Sequence, residues 1–272
     1  MAISKALKAA YKLYGITVDG DKIVTPAGKV APLLKQGNTK TGKTVYTFST
    51  LPTNKTFKTA CGNVCGTCPC HCEGCYATKG NYNFKTTRNS LAINTVLCRD
   101  YLDIVNKMIR AQLDTLPGVD IRIHAAGDFF NDDYANMWRD IVKDYPTNNF
   151  WTYTKVSKYE SLFDDLPNGN IVKSIIPACG FNFGHIEYIA KAYISLVNAG
   201  ATPYICRCTF DDMQHCEGCR GCIEHKHVLF VEHSTEYKAK ADPLFSVMSA
   251  IVDMQKNASP AEIAARLADM IA

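Results

Sequence analysis

The sequence predicts an α/β protein, a TIM-barrel-like (β/α)6 parallel barrel, partial or closed, behind a short N-terminal extension. Three observations predict it. From Val45 onward, short strand-like runs alternate six times with segments of helical period. The chain of 272 residues, 47% hydrophobic and 21% charged, can bury one large core or two smaller ones. The residues least expected in ordinary structure fall just after the strand-like runs, the edge where parallel βα arrays carry their chemistry.

Residues 1–44 read as the extension and residues 45–272 as the barrel domain. The start, MAISKALKAAYKLYG, interleaves lysines with apolar residues instead of segregating them as a signal peptide does. No apolar run approaches the roughly 18 residues of a spanning helix, so a soluble cytoplasmic protein with no membrane partner is expected. ITVDGDKIVTP places DGD between β-branched residues, the pattern of a hairpin.

The alternation then runs VYTFST and a helix over about 88–113, DIRIHAA and about 132–145, NFWTYTK and about 157–166, and NIVKSII and about 185–198. It closes with TPYIC before a run of cysteines, and HVLFVE before a helix over about 243–256. Tyr134, Met137, Trp138, Ile141, Val142 and Tyr145 keep one helical face. Ile186, Ile189, Ala190, Tyr193 and Val197 keep another, with Gly200 where a helix C-terminal glycine belongs. Ser259 as N-cap, Pro260 at the first helical position and Glu262 completing a capping box announce the last helix.

Composition narrows the function classes. With 30 Lys+Arg against 26 Asp+Glu the net charge is only +4, and no basic patch is concentrated enough to indicate nucleic acid. Cysteine is the anomaly. There are 13, six within residues 61–75 and five within residues 206–222. A disulfide framework belongs to short secreted chains, whereas clustered thiols in a reducing compartment read as metal ligands.

The second group, Cys206-Arg-Cys208 and then Cys216-Glu-Gly-Cys219-Arg-Gly-Cys222, contains C-x2-C-x2-C, the spacing of ferredoxin-type iron–sulfur sites. Cys216, Cys219 and Cys222 supply three thiolates, and Cys208, ahead of Cys206, supplies the fourth. Zinc held by four of these residues, or with His215, is the alternative. The first group contains C-x3-C-x2-C twice, as Cys61/Cys65/Cys68 and as Cys68/Cys72/Cys75. Three cysteines leave one iron of a cubane open to substrate or cofactor, and a fourth from the same run would close it. Tyr76 sets an aromatic against the second register.

The strand-end rule also collects Gly127-Asp128 after the second run, Lys155 after the third and Cys179 after the fourth. His124 reads as a satisfied core histidine and Cys98 as a core thiol. Asp128 is read either as a ligand-facing carboxylate or as a stabilising acid at a helix N-terminus.

C-x3-C-x2-C after the first strand of a six-unit βα array resembles the radical S-adenosylmethionine (SAM) superfamily. The combination of GCYA at 74–77, RIHAAGDFF at 122–130, Tyr134 and Trp138 on the next helix, and a late C-x2-C-x2-C is similar to a largely phage-encoded family of radical-SAM-like iron–sulfur proteins. The resemblance covers about residues 45–232. It implies a 4Fe-4S cluster at the barrel mouth that donates an electron to SAM, giving a 5'-deoxyadenosyl radical that abstracts hydrogen from a substrate. The second cluster would be auxiliary. It further implies cofactor contacts from Tyr76, Gly127 and Asp128, and Lys155 facing a carboxylate of SAM or substrate. Gly127-Asp128 stands where the superfamily has two glycines and a glutamate. An electron donor such as flavodoxin or ferredoxin, and action in the host cytoplasm for a phage gene, also follow. Two rivals remain: a SAM-independent iron–sulfur redox or electron-transfer protein, and a zinc-stabilised binding module.

Overall fold

The computed structural model describes residues 15–25, 32–37, 41–52, 82, 84–176, 180–210, 216, 219–232 and 239–272. The chain divides into two compact units. The first holds residues 1–37 and 44–169, the second residues 38–43 and 170–272. The boundary falls inside a strand, and the hairpin and the edge strand before residue 38 belong to the first unit.

In the first unit, β1 (Thr17–Asp19) and β2 (Lys22–Val24) form the expected hairpin, turned through Gly20 at φ +57°. β3 (Lys35–Gln36) runs antiparallel to β4 (Val45–Phe48). Gln112 anchors β3's approach. Its side-chain oxygen accepts from the Leu33 and Leu34 amides at 2.8 and 2.9 Å.

The helix expected over about 88–113 is two helices, α1 (Lys85–Asp100) and α2 (Leu102–Leu113), because Tyr101 leaves helical geometry at φ −143°, ψ 46°. Then come β5 (Asp120–Ile123), α3 (Asp132–Asp144) and β6 (Asn149–Thr154). Only a 3-10 turn at Ser157–Tyr159 stands where a fuller helix was expected.

β4, β5 and β6 are parallel and in register, Val45 opposite Asp120 and Asp120 opposite Asn149. Val45, Ile121, Ile123 and Phe150 are fully buried between them and the helices, as strands covered on both faces require. Trp138 of α3 meets Phe48 edge to face, with centroids 5.4 Å apart. Asn168 ties the return loop, its amide donating to the carbonyls of Val142, Tyr145 and Asn148 at 2.9–3.0 Å.

The boundary strand β7 (Gly169–Lys173) opens the second unit, followed by the antiparallel pair β8 (Ile175–Ile176) and β9 (Gly180–Phe181). β10 (Phe183–Gly184), α4 (Ile186–Asn198), β11 (Tyr204–Ile205), α5 (Gly221–Glu224) and β12 (Val228–Val231) follow, then α6 (Phe245–Met254) and α7 (Pro260–Ile271). β12 pairs in parallel with both β10 and β11 and lies between them.

Ile189 and Tyr193 of α4, Leu229 and Val231 of β12, Met248 of α6 and Leu267 of α7 share one core. The Ser259–Glu262 capping box is formed as read from the sequence. Among the described residues the fold is thus mixed α/β with parallel-rich sheets, and none of those sheets closes into a ring. No helix among them is long and apolar enough to cross a membrane.

Candidate functional site

At the C-terminal edge of the first unit's parallel strands, hydrogen bonding continues past β4 and β5. The Ala125 amide donates to Phe48 O, and the Thr50 amide to Ala126 O. The chain then turns at Gly127, φ +88°, where a Cβ would lie 2.0 Å from Thr50 Oγ1 and 2.9 Å from Thr50 O. Only glycine allows this approach.

Next to it, Asp128 is buried, and both of its oxygens are engaged. Oδ1 accepts from Thr154 Oγ1 and the Phe129 amide at 2.8 Å, and Oδ2 accepts from the Lys155 amide at 2.9 Å. Asp128 therefore joins the loop after β5 to the end of β6 and sets the position of the half-buried Lys155. Gly127-Asp128 and Lys155, separated by 27 residues from Asp128, meet here.

His124, at φ 62°, is buried and bonded on both nitrogens, Nε2 to Tyr134 Oη at 2.8 Å and Nδ1 to Thr152 Oγ1 at 3.2 Å. Burial lowers its pKa to about 3, so the ring is neutral. It belongs to the core, as does Cys98, whose thiol burial pushes far up.

In the second unit the cysteines follow β11. The Cys206 amide extends the ladder by donating to Leu229 O, and the 3-10 turn Arg207–Thr209 carries Cys208. Gln255 grips Ile205 at both backbone groups, and Arg207 pairs with Asp253 at 2.8 Å. The Cys219 amide donates to Cys216 O, which makes the tight turn that C-x2-C spacing favours.

Hydrogen bonding with Cys206, offset in part by Cys216, together with burial, holds the Cys208 thiol up at about 12. Tyr204 Oη lies 4.0 Å from Cys219 Sγ, and burial followed by the charge on Cys219 raises that phenol's pKa. The Tyr204 ring stacks on His225, centroids 5.0 Å apart, and presses on Gly221, where a Cβ would come within 2.4 Å of it. Asn170 donates to the carbonyls of Cys222 and His225, both at 2.9 Å, and fixes the α5 end.

Cys206, Cys208, Cys216 and Cys219 are soft donors of the kind that suits iron–sulfur or zinc. Among the described residues no three His, Cys, Asp or Glu side chains already stand in metal-binding geometry. Cys61, Cys65, Cys68, Cys72, Cys75, Tyr76, Cys179 and His215 lie outside the described residues.

Residues 32–175, more than half of the chain, match the family described as Gene product 88. The chain belongs to the Gene product 88 family. A similar protein, the Gene 88 protein of Mycobacterium phage D29, is 26% identical over 183 residues, covering 57% of this chain and 76% of that one. No solved structure matches.

The stretch that matches Gene product 88 includes residues 61–75, Gly127, Asp128 and Lys155, whereas residues 206–222 lie beyond it. Cys206 is buried and Cys208 partly buried. Sequence reasoning missed Tyr204 and Asn170 altogether. Tyr204 stood two residues before Cys206, but nothing in the sequence signals that Asn170 reaches across 52 residues to Cys222.

Proposed function

We propose that this member of the Gene product 88 family is a cytoplasmic iron–sulfur protein with two cysteine-held sites, acting as a radical-SAM-like enzyme on a partial (β/α) barrel. The cysteine spacing carries the reading: C-x2-C-x2-C at Cys216, Cys219 and Cys222 with Cys206 and Cys208 ahead of it, and C-x3-C-x2-C twice within residues 61–75. Two of these are joined by a backbone turn, and a thiol-only set in a partly buried position is poorly explained by packing alone. Cys208, Cys216, Cys219 and Cys222, with Cys206 beside them, would hold one cluster. Cys61/Cys65/Cys68 or Cys68/Cys72/Cys75, flanked by Tyr76, would hold the other. When bound, a 4Fe-4S cluster supplies single electrons, and SAM at an open iron supplies hydrogen-abstraction chemistry.

The chain's own residues orient and exclude water. Gly127 lets the loop after β5 close on Thr50, and Asp128 holds the Lys155 amide so that the lysine can meet a carboxylate of SAM or substrate. Electrons would come from a flavodoxin- or ferredoxin-type donor.

One observation favours a second reading, a redox or electron-transfer protein that uses no SAM. Both Asp128 oxygens are already engaged by internal donors, which suits a structural carboxylate better than a cofactor contact.

The test is iron, acid-labile sulfide and zinc per chain after purification without oxygen. About eight iron and about eight sulfide fit two cubane clusters, and about four of each leaves one cysteine group another role. Cleavage of added SAM by the reduced protein then separates the two iron–sulfur readings. Zinc without sulfide overturns both and leaves a zinc-stabilised module.

A further inference from the structure

A cavity of about 370 Å³ opens in the first unit between the β3–β4 edge and the N-terminal half of α1. A helix face turned to a sheet is ordinarily apolar. Here α1 presents Thr86, Ser90 and Asn94 at i, i+4 and i+8, with Thr87 alongside, and Thr47 and Ser49 add hydroxyls from the β4 side. Leu33 and Leu91 are the apolar part of the wall.

Among the described residues that line the cavity there is no aspartate or glutamate, and the cation is Lys35, whose ammonium donates to Ser90 Oγ. Among the described residues no carboxylate pairs with Lys35. Although its stem is exposed, partial desolvation lowers the pKa of this amine below the ordinary lysine value. The first turn of α1 adds positive potential, with no acidic residue in it and no side-chain cap at Phe84.

The walls are fixed independently of any ligand. The Asn94 amide donates to Ser49 O and Tyr82 Oη to Ala125 O, both at 2.9 Å, while Gln112 clamps the backbone of Leu33 and Leu34. The volume falls within the range of small-molecule pockets and exceeds what a bare inorganic ion needs.

We propose that this cavity binds a small organic anion, with its phosphate or carboxylate on Lys35 and Ser90 and its hydroxyl-bearing body among Thr86, Thr87 and Asn94. A polar body is required because hydroxyls left facing an apolar ligand would be desolvated without partners. The proposal does not rest on the cysteine groups.

The experiment is isothermal titration of the full chain, as purified, with ribose 5-phosphate, gluconate and ribose, the first two separating phosphate from carboxylate and the third testing the need for charge. At least one anion is expected to bind at millimolar concentration or below, with ribose at least tenfold weaker. Lys35→Met should weaken the anion at least tenfold and Lys35→Arg should restore most of it, with thermal melting unchanged without ligand. Ser90→Ala, which keeps the lysine, should weaken it several-fold. Equal binding of ribose, failure of both anions, or anion affinity unaltered by Lys35→Met in the folded variant would each overturn the proposal.

Discussion

His124 shows what burial does to a titratable side chain. Unfolded, its imidazole takes a proton near pH 6.5, and folded only near pH 3. Between those values the unfolded chain holds more protons, so stability is intact above 6.5 and falls as pH drops, by up to about 1.4 kcal/mol per pH unit. His124→Asn, which tolerates the left-handed backbone at φ 62°, should flatten that fall. Urea midpoints across the window test it; an unchanged slope would assign the acid sensitivity elsewhere.

Gly127 and Asp128 are structural neighbours with distinct duties. Gly127→Ala forces a Cβ against the Thr50 hydroxyl and carbonyl at an unfavourable φ, and should destabilise by about 2 kcal/mol or more. Asp128→Ala leaves the amides of Phe129 and Lys155 without their acceptor, a loss of about 3 kcal/mol. Chemical denaturation reads both.

At the scale of elements, the C-terminal helix is the most locally determined. Ser259 Oγ accepts from the Glu262 amide while the Ser259 amide donates to the Glu262 carboxylate, so Ser259→Ala should lower stability by about 1 kcal/mol. Hydrogen exchange of the first turn of α7 locates the effect. α1 and α2 behave differently. Their apolar spacing reads as one helix, and the break at Tyr101 follows from packing that local periodicity does not encode.

For the molecule as a whole, the iron–sulfur proposal expects the joint substitution Cys208→Ser, Cys216→Ser and Cys219→Ser to remove metal from residues 206–222 while leaving iron at residues 61–75. Metal per chain and circular dichroism check this together. Full retention of metal would separate these thiols from metal binding, and global unfolding would make the metal structural.

Much of this architecture is written in local pattern. The hairpin at Gly20, the parallel strands from Val45, the faces of α3 and α4 and the cap at Ser259 follow from residue spacing over a few positions, because backbone geometry repeats at those periods. The spacing of the two cysteine groups is equally plain in the sequence. Tertiary structure alone decided which distant groups meet: Asp128 with Thr154 and Lys155, Asn170 with Cys222, Lys35 with Ser90, and β12 between β10 and β11. Those partners lie 24 to 55 residues apart. Their pairing depends on how strands order and helices pack, which no local period records.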